Sequence, residues 1–298
     1  MRISFRDTRK AILAAALLWW GNGCVAGTAS NITGLYYTGV NSSGAVLAGG
    51  ATDPNWTVTY ANVNGVSYTG TSTYTGSPYV LSSSYIDAAY VANSSSSKWV
   101  TAPGASTAAS GGTANVGGDY LPGNGTTGTN AAQYVYRLAF TVTGSGSGTV
   151  TNQISISLTM AADDQYKVYV NPTLNANGSV NTASTLAGSR TNAWSNTSAL
   201  YLQNFTNSNG SANSAFVIGT NYIYVVVDNT NSATGTSGSN ALNPSGLLVY
   251  QVGSATTIDG KPVVPEVGTI LPVVVALGMF LWRRFWPRTA APVSVAQG

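Results

Sequence analysis

Residues 133–143 read QYVYRLAFTVT, and this stretch decides the fold class. Large apolar or aromatic side chains stand at every second position: Tyr134, Tyr136, Leu138, Phe140 and Val142. Such an alternation is typical of an antiparallel β-strand that buries one face and turns the other towards water. The stretch therefore predicts a half-buried β-strand.

Strand signals recur along the rest of the chain, whereas helix signals do not. They occupy residues 56–60, 154–158, 166–170, 215–218, 221–227 and 247–252. Clusters of Gly, Asn and Ser separate these segments, as turns between strands require. The sequence therefore predicts an all-β body over residues 27–255, built as a two-sheet antiparallel β-sandwich.

Three segments in the second half resemble strands of galactose-binding-like jelly rolls. In one of them, Gly219-Thr220-Asn221 leads into an alternating strand that ends at Asp228-Asn229. In another, Asp163-Asp164 precedes a strand that closes at Asn171, and residues 243–249 resemble the closing strand. The resemblance implies that the sandwich is jelly-roll-like.

The N-terminus has the three parts of a secretory signal peptide. A basic region containing Arg2, Arg6, Arg9 and Lys10 precedes ten apolar residues, 11–20, and small residues follow up to Ala26. This pattern predicts a signal helix over residues 1–26 and export through the Sec pathway. A lipoprotein signal ending at Cys24 is the alternative, although residues 21–23 lack the aliphatic side chain that such signals carry.

Residues 264–288 contain a second targeting pattern. Val264-Pro265-Glu266 precedes the apolar run 267–282, which ends at the basic pair Arg283-Arg284. The run is somewhat shorter than the roughly 20 residues that span a bilayer core, but aromatic residues flank the basic pair as at a membrane interface. The pattern predicts a transmembrane helix. A buried C-terminal helix is the alternative, and it lacks a polar face to show to water.

This C-terminal segment resembles the PEP-CTERM sorting signal of exported bacterial proteins, over residues 265–288. The resemblance implies a sorting protease of the exosortase type as partner. It also implies a precursor anchored in the inner membrane and then delivered to the cell envelope or the exterior. Val267 stands where that family has a second proline, and a tail, 289–298, follows the basic cluster. Residues 256–264 are expected to be a linker between the body and this signal.

The formal net charge of +3 comes from the two ends of the chain. Seven of the 12 Lys and Arg residues lie in the two terminal segments, so residues 27–264 hold five basic and seven acidic residues. Nucleic-acid binding needs clustered Lys and Arg, which the body lacks. Charged residues are only 7% of the chain, against about a quarter in ordinary proteins. The sequence therefore excludes a nucleic-acid partner.

The composition also narrows the available chemistry. The chain has no histidine, which removes the commonest general base and the Ser-His-Asp arrangement. A glycosidase needs two carboxylates that face one cavity, and the adjacent pair Asp163-Asp164 would point to opposite faces of an extended strand. A carboxylate-dependent glycosidase is therefore the remote alternative, and we expect no enzymatic activity.

Two kinds of binding site remain open. Asp163, Asp164, Asp228 and Asn229 could supply oxygen ligands to a structural Ca²⁺ if their loops meet. The alternative is that these aspartates hydrogen-bond the backbone at turns and strand edges. We expect no other cofactor.

The second kind of site is a sugar-binding surface, in which aromatic rings stack on sugar faces. The body has three tryptophans, Trp56, Trp99 and Trp194. Trp194 lies in a polar stretch and is the best candidate for exposure, while core packing is the alternative for each.

Together these features predict a secreted, surface-sorted, non-catalytic protein with a structural or extracellular-matrix role. A carbohydrate-binding module that recognises extracellular polysaccharide through exposed aromatic residues is the alternative.

Overall fold

The structure is a computed structural model. It describes residues 26–63, 66–67, 76–83, 86, 90–102, 118–119, 132–205, 215–229, 243–244, 246–252 and 256–263. The predicted signal helix up to residue 25, the transmembrane segment and the sorting residues Val264, Pro265, Glu266, Arg283 and Arg284 lie outside these ranges. Across the ranges that are described, no helix is long and apolar enough to cross a bilayer. The chain divides into two compact units, Met1–Pro265 and Glu266–Gly298, and every described residue belongs to the first.

The described residues form sixteen β-strands. In chain order they are β1 (Thr28–Thr33), β2 (Trp56–Val63), β3 (Val66–Ser67), β4 (Tyr79–Val80), β5 (Val100–Thr101), β6 (Gly118–Asp119), β7 (Ala132–Ser145), β8 (Ile154–Asp163), β9 (Gln165–Val170), β10 (Leu186–Arg190), β11 (Ser198–Gln203), β12 (Gly219–Asn229), β13 (Asn243–Pro244), β14 (Gly246–Val252), β15 (Thr257–Ile258) and β16 (Lys261–Pro262).

These strands make two seven-stranded antiparallel sheets. The first sheet has the order β10-β9-β12-β7-β2-β3, with β1 also paired to β7. The second has the order β16-β15-β8-β14-β5-β4, with β11 also paired to β8. Strands β6 and β13 pair with each other in a separate two-stranded sheet. The predicted all-β class with two antiparallel sheets is confirmed.

The predicted strand of residues 133–143 lies at the centre of the first sheet. As β7, it pairs with β12 without interruption from Gly219 opposite Val142 to Asn229 opposite Ala132. Its alternate residues Tyr136, Leu138 and Phe140 are buried among the residues of the main core. The period-two pattern therefore identified both the strand and its buried face.

The main core lies between the two sheets. The first sheet contributes alternate residues of β7 and β12, and the second contributes alternate residues of β8. The fully buried members with the largest side chains include Trp56, Leu138, Ile156, Leu158 and Ile223. Burial of about 25 cal/mol for each Å² of apolar surface makes this layer the main source of stability. Two inner faces that share one apolar layer give the sandwich its architecture.

Each sheet also has a partly covered outer face. On the first sheet, a smaller cluster contains Tyr60, Val135, Tyr169, Val180, Tyr224 and Val226. On the second sheet, the outer cluster contains Leu81, Trp99, Ala161 and Leu248, with Tyr90 and Tyr250 packed against it. The outer cluster of the second sheet is the setting of the candidate site.

Two turns are built alike from an Asn and a Gly three residues later. In residues 41–45, the Asn41 side chain accepts hydrogen bonds from the backbone of Ser43 and Ala45, and Gly44 has φ +80°. In residues 175–179, Asn175 receives a hydrogen bond from Gly178, whose φ is +84°. A positive φ is accessible to Gly at little cost. The Asn- and Gly-rich composition thus closes tight loops.

The structure differs from the predicted organisation at two places. Residues 256–264, expected as a linker, contribute the β15–β16 hairpin, and Thr257 pairs with Ser155 at the edge of the second sheet. Residues 215–218, expected as a strand, make only an isolated bridge between Val217 and Thr149. The second segment is held by the side chain of Asn221, which binds both the N–H and the carbonyl of Val217.

Candidate functional site

Three of the residues singled out in the sequence meet on the outer face of the second sheet. Trp99, Trp194 and Asp163 all contact Tyr90, and these four residues are called here the aromatic cluster. The ring of Tyr90 lies 5.6 Å from that of Trp194 and 5.8 Å from that of Trp99, measured between centroids. The Tyr90 hydroxyl donates a 2.8 Å hydrogen bond to Asp163 Oδ2. The cluster thus joins two aromatic candidates and one calcium candidate in a single arrangement.

Trp99 is the base of the aromatic cluster. Its indole Nε1–H donates to the Val91 carbonyl at 2.7 Å, and its backbone N–H donates to Asn93 Oδ1 at 2.8 Å. The side chain is only 2% exposed. A buried indole needs such a partner for its N–H, and here the partner also fixes the segment that carries Tyr90. Trp99 therefore holds the cluster in place from below.

Trp194 is held by a chain of backbone hydrogen bonds. Ala193 donates to the Asp164 carbonyl at 2.7 Å, and the Trp194 carbonyl accepts from Val91 at 3.0 Å. Ala193 is fully buried in the main core, and its packing there holds the backbone next to residue 194. The side chain of Trp194 is half-buried. Trp194 is therefore partly accessible to solvent, and backbone hydrogen bonds hold the chain on which it lies.

Asp163 influences the surface by accepting the hydrogen bond of the Tyr90 hydroxyl. Its side chain is 1% exposed, at the end of β8, so a ligand in solvent cannot reach the carboxylate directly. The hydrogen bond to a carboxylate orients the Tyr90 phenol. Tyr90 and Trp194 are both half-buried and their rings touch, so together they offer a small aromatic surface. Such a surface can stack against the apolar face of a sugar ring.

Trp56 and Trp99 do not offer a ring to a sugar. Trp56 is fully buried in the main core, with its Nε1–H donated to the Tyr36 carbonyl at 3.2 Å. Trp99 is buried under Tyr90, as described above. Both residues pack in the interior, where large aromatic side chains bury much apolar surface. The carbohydrate hypothesis therefore depends on Trp194 alone among the three tryptophans.

The four calcium candidates do not converge in the described part of the chain. The Asp228 carboxylate accepts hydrogen bonds from Gln133 Nε2 at 2.7 Å and from Lys167 Nζ at 2.8 Å. The hydrogen bond with Asp228 raises the pKa of Lys167. The Asp163 carboxylate accepts a hydrogen bond from Tyr90 on the outer face of the second sheet, and the backbone N–H of Asp164 donates to the Asp228 carbonyl at 3.3 Å. The side chain of Asn229 lies outside the described residues.

No group of three or more His, Cys, Asp or Glu side chains with the geometry to hold a metal ion occurs among the described residues. Asp163 and Asp228 each accept hydrogen bonds from neighbouring side chains of the fold.

A buried carboxylate at Asp53 was not predicted as a site residue. Asp53 is fully buried and accepts backbone hydrogen bonds from Gly39 at 2.7 Å, Asn55 at 2.8 Å and Trp56 at 3.2 Å. Burial raises the pKa of this carboxyl, and the three backbone hydrogen bonds partly oppose the rise. The signal in the sequence is the Asp-Pro-Asn turn immediately before a strand, because Asp favours such turns.

Asp53 is expected to make stability depend on pH. Because its pKa is raised on folding from 3.8, the folded state holds the proton more tightly than the unfolded chain does. The contribution of Asp53 is therefore largest below pH 3.8 and falls as the pH rises through the folded pKa. Urea unfolding from about pH 3 to about pH 8 of the wild type and of Asp53→Asn measures this difference. The unfolding free energy of the wild type is expected to fall with rising pH relative to that of Asp53→Asn. A rise with pH relative to that variant would contradict the assignment.

Comparison with known proteins adds little to this geometry. No protein-family model matches the chain, and no curated protein matches it either. Among solved structures, the chain is similar to the GH31 alpha-xylosidase of Xanthomonas citri, with 12% identity and a TM-score of 0.23. The match covers 76% of this chain but only 17% of the xylosidase. A TM-score of that size supports neither a shared fold nor a shared activity.

Proposed function

We propose that this chain is an exported, surface-sorted, non-catalytic β-sandwich protein with a structural or extracellular-matrix role. The observation that carries the proposal is the use that the fold makes of its few carboxylates. Asp53, Asp163, Asp228 and Asp259 all accept hydrogen bonds from groups of the fold itself. Acidic side chains used in this way stabilise turns and strand edges, which is the role expected of a structural domain.

The jelly-roll form of the sandwich is part of this proposal. The resemblance to galactose-binding-like domains rests on Gly219-Thr220-Asn221 and on the strand that follows. In the structure, this strand is β12, which lies between β7 and β9 in the first sheet. Its neighbour β9 follows Asp163-Asp164, the second element of the resemblance. A central antiparallel pair in this position supports a jelly-roll-like arrangement.

The proposed cellular location of the protein rests on its two terminal sequences. A basic, apolar and small-residue pattern at the N-terminus supports Sec export. The C-terminal pattern of Val264-Pro265-Glu266, an apolar run and Arg283-Arg284 supports a membrane-anchored precursor and a sorting protease of the exosortase type. A surface that owes its polarity to Ser, Thr and Asn suits an extracellular environment, since only 7% of the residues carry charge.

The sorting proposal is tested by changing the short polar signature in the producing bacterium. We expect the double change Pro265→Ala and Glu266→Ala to leave a full-length precursor in the membrane fraction, because the protease loses its recognition sequence. Lys261→Ala is the matched control, since Lys261 is exposed and lies outside the signature. Immunoblots of fractionated cells give the result. Equal release of the wild type and both variants would contradict a role for this signature.

A carbohydrate-binding role is the second candidate, and the aromatic cluster favours it. Tyr90 and Trp194 form a touching, half-buried pair on a fixed backbone, and Asp163 orients the Tyr90 phenol. We expect Trp194→Ala to weaken binding to a polysaccharide by about tenfold, because a stacked ring contributes on the order of 1 kcal/mol. Tyr222→Ala is the control, because Tyr222 is half-buried on the first sheet, where it packs against that sheet's outer cluster.

The binding measurement is a glycan array followed by pull-down on the polysaccharides that score. Saturable binding that Trp194→Ala reduces and Tyr222→Ala preserves would establish the sugar-binding role. Binding that is equal in both variants would place the sugar site elsewhere, and no binding to any glycan would leave the structural role.

A further inference from the structure

We infer that β11 is a self-association edge, through which two copies of this chain join their second sheets into one continuous sheet. The inference rests on backbone geometry and is independent of export and of sugar binding. Strand β11 runs from Ser198 to Gln203 and pairs with β8 along one side only, from Ser198 opposite Met160 to Gln203 opposite Ser155.

Among the described residues, no strand pairs with the other side of β11, and β10 of the first sheet approaches β11 at the Leu200 side chain and just before the strand, at Asn196. Strands β14 and β15 both pair with β8 at residues that β11 also covers, so both must lie on the opposite side of β8. No described strand pairs with the outer side of β11. An edge of this kind presents backbone N–H and C=O groups that can pair with another chain.

The register shows which backbone groups face outward. The N–H of Asn204 donates to the Ile154 carbonyl at 3.3 Å, so residue 204 directs its backbone groups towards β8. In an antiparallel ladder, alternate residues direct these groups to opposite sides. Ser198, Leu200 and Leu202 therefore bond to β8, whereas Ala199, Tyr201 and Gln203 direct their N–H and C=O away from it.

This outward set is complementary to itself. A two-fold axis at Tyr201 places Tyr201 opposite the Tyr201 of a second copy, and Ala199 opposite the Gln203 of that copy. All three outward residues are then matched as hydrogen-bonded pairs, and each such pair exchanges two hydrogen bonds. A second copy in antiparallel orientation can therefore pair with all three outward residues of β11 without a register shift.

The side chains on this edge favour association and do not oppose it. Proteins commonly protect open edges with Lys, Pro or inward-pointing charges. Strand β11 reads SALYLQ and contains none of these residues. Tyr201 is 52% exposed, the largest exposure among the large hydrophobic residues described, and a dyad at this position would bring two such rings side by side. Directly opposed aromatic side chains stabilise an antiparallel pair.

A cysteine cross-link tests this geometry in the purified full chain. In a Cys24→Ser background, which removes the single native cysteine, Tyr201→Cys is expected to form a disulfide-linked dimer under mild oxidation. Directly opposed residues of a hydrogen-bonded pair have Cα atoms about 5.5 Å apart, a separation that a disulfide accepts. Ser147→Cys is the control, because Ser147 is exposed in the turn after β7, away from β11.

Two further variants test the edge without new covalent chemistry. Ala199→Pro removes one outward N–H while the bonds to β8 remain, and Pro is tolerated at such an edge position. Tyr201→Lys adds a charge at the centre of the contact. Each is expected to weaken dimerisation at least about tenfold in light-scattering measurements. Thr220→Lys adds the same charge at an exposed residue of the central strand β12 and should leave the dimer intact.

A dimer that cross-links in the Tyr201→Cys variant and is lost in Ala199→Pro and Tyr201→Lys establishes the edge contact. A monomeric wild type overturns the edge contact. That result would also follow if another segment of the same chain covered β11. A dimer that survives both variants, or a cross-link that forms equally well in the Ser147→Cys variant, overturns it as well.

Discussion

Trp56→Ala is expected to lower the free energy of unfolding by about 3–5 kcal/mol. Trp56 is fully buried between the two sheets, and its ring belongs to the main core. Removing it loses the transfer free energy of the largest side chain and leaves a cavity that the surrounding strands fill only in part. Its Nε1–H also bonds to the Tyr36 carbonyl, and that carbonyl loses its partner in the variant.

Urea unfolding followed by circular dichroism measures the effect, with Trp194→Ala as the matched control. Trp194 is half-buried on the outer face, so its loss is expected to cost only on the order of 1 kcal/mol. Since domains are commonly stable by about 5–15 kcal/mol, the Trp56 variant should be marginal at about 37 °C while the Trp194 variant stays folded. Equal losses in the two variants would contradict a core that lies between the sheets.

Asn221→Ala is expected to cost about 3 kcal/mol or more, a large effect for a small polar side chain. Asn221 is fully buried, and its Oδ1 accepts from the Val217 N–H at 2.9 Å and from Asn171 Nδ2 at 2.8 Å. Its Nδ2 donates to the carbonyls of Val217 and Gly219. The change removes the partner of the Val217 N–H and of the carbonyls of Val217 and Gly219, and each group left unsatisfied away from water costs about 1–3 kcal/mol.

Asn177→Ala is the control for this second change, because Asn177 is exposed in a turn and is expected to cost less than about 1 kcal/mol. Hydrogen exchange at the Val217 amide gives a local readout, since that N–H bonds to the Asn221 side chain. Faster exchange there together with the loss of stability is the expected result. A stable Asn221→Ala protein with unchanged exchange would show that the segment before β12 is held by other contacts.

The roles of Asn221 and β7 show what sequence patterns could predict. The alternation in residues 133–143 identified a central strand, because successive side chains of a strand point to opposite faces and every second one is apolar here. The Gly219-Thr220-Asn221 pattern pointed to a strand start. Its physical reason, a buried amide that ties Val217 to the start of β12, became visible only in the folded chain.

Two elements escaped prediction for different reasons. The β15–β16 hairpin turns at Asp259-Gly260, both with positive φ, and an Asp-Gly pair between short apolar segments is a recognised hairpin signal. The signal is therefore present in the sequence, in a segment that was expected to be a linker. Strand β11 has Leu200 and Leu202 on its inner side, but six residues with only two strongly apolar positions give a weak alternation.

The candidate site could be predicted only in pieces. Trp194, Trp99 and Asp163 were each singled out, but for two different functions. Their common partner Tyr90 lies 73 residues from Asp163 in the chain, and the two meet because β8 and the segment before β5 share one outer face. Contacts of this kind depend on sheet order, which the local alternation of side chains does not encode.

The measurement that bears most directly on an exported structural role is the intact mass of the protein recovered from the producing bacterium, with each cell fraction analysed separately. We expect the protein in the envelope or the medium, with residues 1–26 removed and the C-terminus ending near Val264-Pro265-Glu266. Recovery of an uncut chain of 30.5 kDa from the cytoplasm would contradict this role.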